Sequence, residues 1–555
     1  MAKTVFLLLT QGSSLCEKTS SRILKHLIPL VESQLYVGIH PSSVFNNHYH
    51  FTDSATVIYK FIASFYTEAY RLNRNLDVRI LLQNLKDSGE SRISPNFGNF
   101  SFEVLYIDKE TQPLKTVQRD FFHPSSTFPG ESTDLRSLDL SLLSPDDISK
   151  SENDEEAGKQ APVISGRPFF QQIDGCEHKA SIGPHDGVVL GGTFDRLHNG
   201  HKILLSTACL LARKQFTCGV TDGVMLENKI LNDLIEPIER RINFVLEFVS
   251  SVDPSLSCKV VPITDPFGPS IVDSNLDAIV ASKETVRGAK KVNDKRAENN
   301  LNELSVYIID LADEKPCPVS ANPDECKISS SHIRKQLLGT LLRNPEVNPY
   351  LQTKPYCIGL AGGIASGKTH ISKYLEEFGA FVVDCDKLGH QAYLPGTDAY
   401  HKIIETFGSD VIDEQNNGVI NRKVLGGKVF ADQNLLHKLN QIVWPAIGNL
   451  AKKLIDENKD RSVVVLDAAV LLEAKWDELV HEIWVPFVPP SEAIRRLIKR
   501  NNLSEDAAWK RVKAQYDNKH RISRANIVFC SLWNYEYTRS QVEIAWQELL
   551  KRIPA

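Results

Sequence analysis

The sequence predicts an α/β protein: two parallel-sheet α/β domains, joined head to tail, after a separate α/β N-terminal region. Three observations carry that prediction. From about residue 185 onward, short apolar runs alternate with segments of helical period, the pattern of strands linked by helical crossovers. Two glycine-bearing loops, Gly191-Gly192-Thr193 and Gly362–Thr369, each stand where an apolar run gives way to a helix. Between residues 131 and 184 large apolar residues thin out and serines and carboxylates take over. Chain of that kind cannot bury a core and reads as an acidic flexible linker.

Bulk composition narrows the classes. A chain of 555 residues exceeds what one core serves. It is 42% hydrophobic and 24% charged with a net charge of −5, so neither nucleic acid nor an anionic membrane is expected as its main partner. No apolar run is long enough to span a bilayer. The 10 cysteines include no CxxC pair, and Cys317 and Cys326 are too far apart for a zinc knuckle. Reduced thiols in a cytoplasmic protein are expected. Val5–Leu9 is too short for a signal-peptide core and reads as a buried strand. With Lys3, Arg22 and Lys25 as early cations, a mitochondrial association stays open.

In chain order, residues 1–130 offer strands at Val5–Leu9 and Val78–Leu82 and a helix through Ile62–Tyr66 and Ala69-Tyr70. No catalytic motif occurs there. His48 and His50 lack a third nearby metal ligand and read as an exposed loop pair. Docking to a membrane or a protein partner is the open role of this region. Asp146, Asp147, Glu152, Asp154, Glu155 and Glu156 fall in the linker. Residues 185–345 give strands at Gly187–Gly191, Phe216–Val220, Cys258–Ile263, Asp277–Val280 and Val306–Ile309, with helices after His201 and near Pro237–Phe248. Pro345, Pro349 and Pro355 mark a boundary. Residues 355–555 give strands at Phe381–Val383, Ser462–Leu466, Glu482–Val485 and Ile527–Cys530, with helices at Ser491–Asn501, Ser504–Gln515 and Thr538–Leu550. No internal repeat is visible.

Chemistry concentrates at the two loops. Gly362, Gly363, Ile364, Ala365, Ser366, Gly367, Lys368 and Thr369 have the form G-x-x-x-x-G-K-[ST], after an apolar run and before a helical one. That context reads as a phosphate loop. Its backbone N–H groups and the following helix N-terminus cradle phosphate oxygens. Lys368 reaches the β/γ phosphates of ATP, and Thr369 ligates Mg²⁺. The other loop runs from Gly192 and Thr193 into His198-Asn199-Gly200-His201. Two imidazoles at a strand's carboxyl end suit charge developing on a pentavalent phosphorus.

Gly192–His201 resembles the signature of HxGH nucleotidyltransferases, which move a nucleoside monophosphate onto a phosphate. Ile328-Ser329-Ser330-Ser331-His332-Ile333-Arg334 resembles that superfamily's ISSSxxR motif, which binds ATP phosphates. Ser282–Gly288 resembles the SEETxxG segment of phosphopantetheine adenylyltransferases, with Lys283 at its first Glu. Lys229 falls at the superfamily's phosphate-binding lysine. The resemblance implies a Rossmann-like fold, with His198 and His201 as catalytic residues.

The second loop is similar to that of the dephospho-CoA kinase family, a P-loop kinase fold. A carboxylate beside a phosphate loop can take a proton from an attacking hydroxyl. Asp384-Cys385-Asp386 resembles the family's DxD segment, which implies Asp386 as general base; the other aspartate suits a helix cap. Gly418–Arg422 resembles its substrate segment, and Ala469–Glu473 its PLLxE strand end. Arg496, Arg500, Arg511 and Gln515 follow its lid pattern, which implies arginines that clamp phosphates. Trp444-Pro445 stands where many members have His-Pro, and Ser531 where many have Asn. No NKxD guanine motif occurs.

In this order the two parts resemble the bifunctional coenzyme A synthase family. That implies 4′-phosphopantetheine, dephospho-CoA and ATP as small-molecule substrates. Two alternatives stay open: another HxGH transferase fused to a nucleoside-type kinase, and a nucleotide-binding scaffold without turnover.

Overall fold

The computed structural model describes residues 2–9, 15, 17–39, 51–82, 85, 102–108, 134–138, 184–309, 329–414, 416–429 and 432–553. His48, His50 and the acidic run of the linker lie outside them. The chain divides into two compact units, one of Met1–Lys229 with Glu236–His332, the other of Ile230–Ile235 with Ile333–Ala555. Among the described residues the architecture is α/β with three five-stranded sheets. Among the described residues no helix is long and apolar enough to cross a membrane.

The first unit holds two sheets. Its N-terminal sheet comprises β1 (Ala2–Leu9), β2 (Val31–Ile39), β3 (Asp77–Leu81), β4 (Val104–Asp108) and β5 (Asp134–Leu138), in the order β3-β2-β1-β4-β5. All four pairings are parallel. Helices α1 (Glu17–Leu27) and α2 (Phe51–Leu72) cross between strands. The buried run of Val5–Leu9 explains the central place of β1, because a strand covered on both faces reads as continuous apolar sequence. Strand β5 falls inside the stretch expected as linker. Its sequence, DLRSL, is too polar to read as a strand, and its ladder with β4 places it.

The second sheet of this unit comprises β6 (His185–Gly192), β7 (Ala212–Thr221), β8 (Ser257–Ile263), β9 (Ala278–Ser282) and β10 (Ser305–Ile309), in the order β10-β9-β6-β7-β8. The crossover helices are α3 (Asn199–Leu211), α4 (Ile238–Val252) and α5 (Val286–Glu298). Gly187 is obligatory in β6, since a Cβ there would stand 2.1 Å from the Asn275 carbonyl oxygen. Read from its other edge, this sheet has the strand order of the N-terminal one. The shared order is one of topology, not of sequence. Strand order follows from how crossovers pack on a twisted sheet, and it leaves no residue-by-residue trace. The N-terminal sheet packs against this one. Ile58, Phe61 and Phe65 of α2 share one apolar cluster with Leu205, Ala208 and Cys209 of α3.

Helix α6 (Ser330–Gln336) follows, and the second unit is a further five-stranded sheet. It comprises β11 (Tyr356–Leu360), β12 (Phe381–Asp384), β15 (Val463–Asp467), β16 (Glu482–Phe487) and β17 (Ile527–Cys530), in the order β12-β15-β11-β16-β17, all parallel. Helix α7 (Lys368–Glu377) follows β11 and α8 (Cys385–Gln391) follows β12. A side cluster is built from α9 (Asp398–Phe407), the hairpin of β13 (Ile412–Asp413) and β14 (Val419–Ile420), α10 (Arg422–Val429) and α11 (Gln433–Glu457). Helices α12 (Pro490–Asn501), α13 (Glu505–Lys513), α14 (Asn518–Arg524) and α15 (Tyr535–Arg552) complete it.

Candidate functional sites

The first site forms where β6 ends and α3 begins. Phe194 and Arg196 take positive φ of 50° and 49°, so the connecting loop is held in a conformation that side chains disfavour. Asp195, fully buried, holds it by accepting from the Glu236 N–H and from Arg196 Nη1, both at 3.0 Å. Arg241, also buried, donates to the Thr193 and Thr221 carbonyls at 2.9 and 2.8 Å. The Thr221 hydroxyl donates to Thr193 Oγ1 at 3.1 Å. At Gly192 a Cβ would meet the Phe194 ring at 2.9 Å, so that position stays bare.

His198 is the N-cap of α3 and His201 its third residue. The His198 N–H donates to His201 Nδ1 at 3.5 Å, and the rings stack at 3.8 Å between centroids. Burial pushes His198 down to about 4 and His201 well below the usual imidazole range, with the positive charges of His198 and Lys229 adding to the latter. Both rings are neutral near pH 7 and act as dipolar hydrogen-bonding groups. His198 Nδ1 is buried without a hydrogen-bond partner, which suits an incoming polar atom. The start of α6 meets this point: the Ser330 hydroxyl donates to the Asp195 carbonyl at 3.0 Å and lies 3.5 Å from His198 Nε2. Ser329 caps that turn by accepting from the His332 N–H at 3.2 Å. The structure thus gathers His198, His201 and Ser330, with Thr193 on the loop that leads to them. Arg334, the motif's arginine, is instead buried and donates to the Ile230 carbonyl at 2.9 Å.

The second site lies between β11 and α7. Gly367 takes φ of 89° and Ala365 60°, the left-handed turns that curl the loop. A Cβ on Gly362 would meet Ser366 Oγ at 2.5 Å and the Pro486 ring at 2.7 Å. Lys368, in the first turn of α7, pairs with Asp467 and lies 4.0 Å from Asp386 Oδ2. Sheet order brings these carboxylates together, because β15 lies between β11 and β12 and Asp467 stands in register with both Leu360 and Asp384. Asp384 caps α8 by accepting from the Lys387 N–H at 3.0 Å. Burial works to raise its carboxyl, but the Lys387 hydrogen bonds and nearby cations prevail and hold it below the usual range. Asp386 goes the other way. Burial raises it, Lys368 opposes, and the negative charges of Asp467 and Asp384 add to the rise. Two carboxylates two residues apart thus differ in proton affinity, the pattern that separates a cap from a base.

The arginines fall into distinct places. Arg496 is tied down: it donates to the Ala365 carbonyl at 3.1 Å, to Ser531 Oγ at 2.9 Å and to the Ser531 carbonyl at 2.6 Å. It braces the loop backbone. Gln515 accepts from the Ile364 N–H at 2.8 Å and links α13 to the same loop. Arg422 donates to Tyr393 at 2.7 Å and meets His390 Nε2 at 2.8 Å, one turn along α8 from Asp386. Arg500 bonds Asn501 at 2.9 Å and Arg511 is exposed, so neither reaches the loop. A cavity of about 530 Å³ opens beside Gly363 and Ser366, with Trp509, Lys513, Tyr516 and Arg521 on its far side.

Arg241, Asp467 and Arg521 were not singled out from the sequence. Asp467 was signalled by a carboxylate ending an apolar strand, Val463–Leu466. Arg521, buried against Glu473 at 2.8 Å, was hidden among exposed basic residues of α14. For a metal, Thr369, Asp386 and Asp467 offer oxygen donors only. That set fits Mg²⁺, which needs one or two carboxylates beside phosphates and water. No cluster of three or more His, Cys, Asp or Glu forms a protein-built cage among the described residues.

Residues 356–532 match the family described as dephospho-CoA kinase, and residues 189–336 match the cytidylyltransferase-like family. A dephospho-CoA kinase of Carboxydothermus hydrogenoformans is 39% identical over 187 residues, which are 33% of this chain and 90% of that protein. One of Geobacter sulfurreducens is 37% identical over 199 residues, 36% of this chain and 98% of that protein. Among solved structures, TT1252 from Thermus thermophilus covers 36% of this chain and 100% of its own, at 24% identity and a TM-score of 0.32. Dephospho-CoA kinase from Campylobacter jejuni covers 35% and 97%, at 22% and 0.29. At those TM-scores neither structure adds to the assignment.

Proposed function

The chain belongs to the dephospho-CoA kinase family through residues 356–532 and carries a cytidylyltransferase-like domain ahead of them, and from that premise we propose that it performs two consecutive steps of coenzyme A biosynthesis. In the first, an oxygen of the 4′-phosphopantetheine phosphate attacks the α-phosphorus of ATP. The bond to the β-phosphate breaks, pyrophosphate leaves, and dephospho-CoA forms. In the second, the ribose 3′-hydroxyl of dephospho-CoA attacks the γ-phosphorus of another ATP, giving CoA and ADP.

The observation that carries the reading is the presence, in one chain, of two sites at carboxyl ends of parallel strands with complementary equipment. The first presents neutral imidazoles and hydroxyls and calls on no general base. That suits an attacking phosphate, which is already anionic. Thr193, His198, His201 and the Ser329–Ser331 helix start hold the triphosphate and the charge that builds on phosphorus. Lys229, whose charge is felt at His201, adds a cation there. The second site has a base, as an attacking hydroxyl requires. Asp386 takes the 3′-hydroxyl proton, its basicity raised by burial and by its neighbouring carboxylates. Lys368 and the N–H groups of the loop bind the β/γ phosphates. A Mg²⁺ held by Thr369 and Asp467 would neutralise charge on the β and γ oxygens. Arg422 orients the substrate, and Arg500 and Arg511 are the exposed cations able to swing onto the transferring group.

The test is product analysis by mass spectrometry with 4′-phosphopantetheine, Mg²⁺ and either ATP or CTP. Dephospho-CoA followed by CoA is expected from ATP alone. His201→Ala should abolish dephospho-CoA formation and leave phosphorylation of added dephospho-CoA intact. If that variant, still folded, lost both activities, or if CTP served equally, the reading would fail.

A further inference from the structure

We propose that Asp77 and Tyr66 of the N-terminal region are positioning residues for the adenylyl-transfer site, holding in place the helix that carries His198 and His201. The inference rests on the reading of that site given above.

Asn199 and Lys202, the two side chains of α3 that flank the histidines, both find their partners in the N-terminal region. Asn199, buried, donates from Nδ2 to the Tyr66 carbonyl of α2 at 2.5 Å. Lys202, also buried, follows His201 directly. Its ammonium pairs with Asp77 Oδ1 on β3 and donates to the Val78 carbonyl at 3.2 Å. Its backbone N–H donates to the His198 carbonyl at 3.0 Å, so the pair grips the same turn that His198 caps. One turn further, Ser206 lies 3.4 Å from the Tyr66 hydroxyl, which accepts from the Ile80 N–H of β3 at 3.2 Å.

These contacts differ from ordinary packing. A lysine has no reason to be buried at an apolar helix face unless its charge is met there. Burial works to strip its proton, and Asp77 opposes that. Asp77 is fixed in turn by Arg79 Nε at 2.9 Å and by Gln34 Nε2 at 3.0 Å. The rotation of α3 about its axis is thereby set by directional polar bonds from a rigid sheet. That rotation decides where the His198 and His201 rings point. A second link, from Arg79 to Glu247 of α4 at 2.8 Å, joins the same strand to a helix that carries neither histidine.

The experiment uses the full chain with Asp77→Asn, Lys202→Met, the double variant, and Glu247→Gln as control. Folded fraction is taken from thermal melts, and kcat and KM are measured for dephospho-CoA formation. Asp77→Asn and Lys202→Met should each lower kcat about 10- to 100-fold, the scale for an angstrom-level misplacement of catalytic groups. KM for ATP and 4′-phosphopantetheine should stay within about threefold, since the loss is confined to transition-state contacts. The double variant should be no slower than the slower single one, because both cut one link. Glu247→Gln and the kinase step should be unaffected. Where Asp77→Asn does not fold, Asn199→Ala, which removes only the bond to Tyr66, carries the same expectation. A folded Asp77→Asn at wild-type kcat, a loss matching its unfolded fraction, or an equal loss in Glu247→Gln would each overturn the inference. A wild-type chain that makes no dephospho-CoA would instead sink the reading of the transferase site itself.

Discussion

Replacing Asp386 by Asn separates catalysis from stability with one atom. The side chain keeps its shape and loses its basicity. General-base removal costs about 10²- to 10⁴-fold, which is about 3 to 5 kcal/mol of barrier at 1.36 kcal/mol per decade. No neighbour substitutes. Asp384 is spent on the α8 cap and Lys387, and Asp467 on Lys368. Stability should move the other way. The folded carboxyl is held above its ordinary 3.8 by burial and by two like charges. A group that binds protons more tightly when folded makes the fold less stable as pH rises through its folded value, and that loss persists at neutral pH. The effect is small, because the Asp386 side chain is 67% exposed and water screens its charge, and Asn, which carries no charge, is free of it. Lys368 keeps Asp467, so no cation is orphaned. Kinase turnover on added dephospho-CoA, followed by ADP release, should therefore fall by at least a hundredfold. The second unit should melt no lower than wild type at pH 7.5, and dephospho-CoA formation should be unchanged. A variant retaining more than a tenth of the kinase rate, or melting clearly lower, would refute the assignment of Asp386 as the base.

Further predictions concern the metal, the glycine loop and acid. Asp467→Asn should raise the Mg²⁺ concentration needed for half-maximal kinase rate several-fold, read from a Mg²⁺ titration at saturating ATP. Gly367→Ala forces a side chain into a residue at φ 89° and places its Cβ 2.7 Å from Ser531 Oγ; kinase rate should fall tenfold or more, with the transferase rate as internal control. His198 is held near 4 against an ordinary 6.5, and His201 is depressed too. The folded state thus stays neutral while the unfolded chain takes up protons. Stability of the first unit should be full above about pH 6.5 and fall toward pH 4, by up to about 3 kcal/mol from His198. Melting curves across that range should show a smaller fall in His198→Asn.

What was legible in the sequence was whatever is local in the chain. A strand, a glycine loop and a helix start lie within some fifteen residues at each site, so Gly362–Thr369 and Gly192–His201 announce their geometry directly. Strand β2 was not legible, because Glu32, Ser33 and Gln34 interrupt its apolar run and it is held by neighbours on both sides. Asp467 could have been found from the same logic that found Asp386, as a carboxylate closing an apolar strand. The brace formed by Arg496 could not. Its partners, Ala365 and Ser531, are 131 and 35 residues away, and only the sheet order brings them together. In sequence a bracing arginine and a clamping one look alike.

The two sheets of the first unit share a strand order and differ in the residues at their first crossover. Each has its first strand at the centre, and in each that strand leads into the first crossover helix. After β6 the connecting sequence is Thr193–His198, with Asp195 and Arg241 holding a strained loop and an imidazole at the helix start. After β1 it is Thr10–Cys16, which contains no histidine, arginine or carboxylate. Parallel-sheet topology needs only apolar strands and covering helices, so the N-terminal sheet keeps its order without a comparable set of residues. Its polar investment lies at the opposite edge, on β3, where Asp77 and Arg79 face Lys202 and Glu247 across the contact with α3 and α4. Buried charge is costly unless met, and here it is met only when the two sheets dock in one register. The charges of β3 specify that docking, and the helix they seize is the one that carries the histidines.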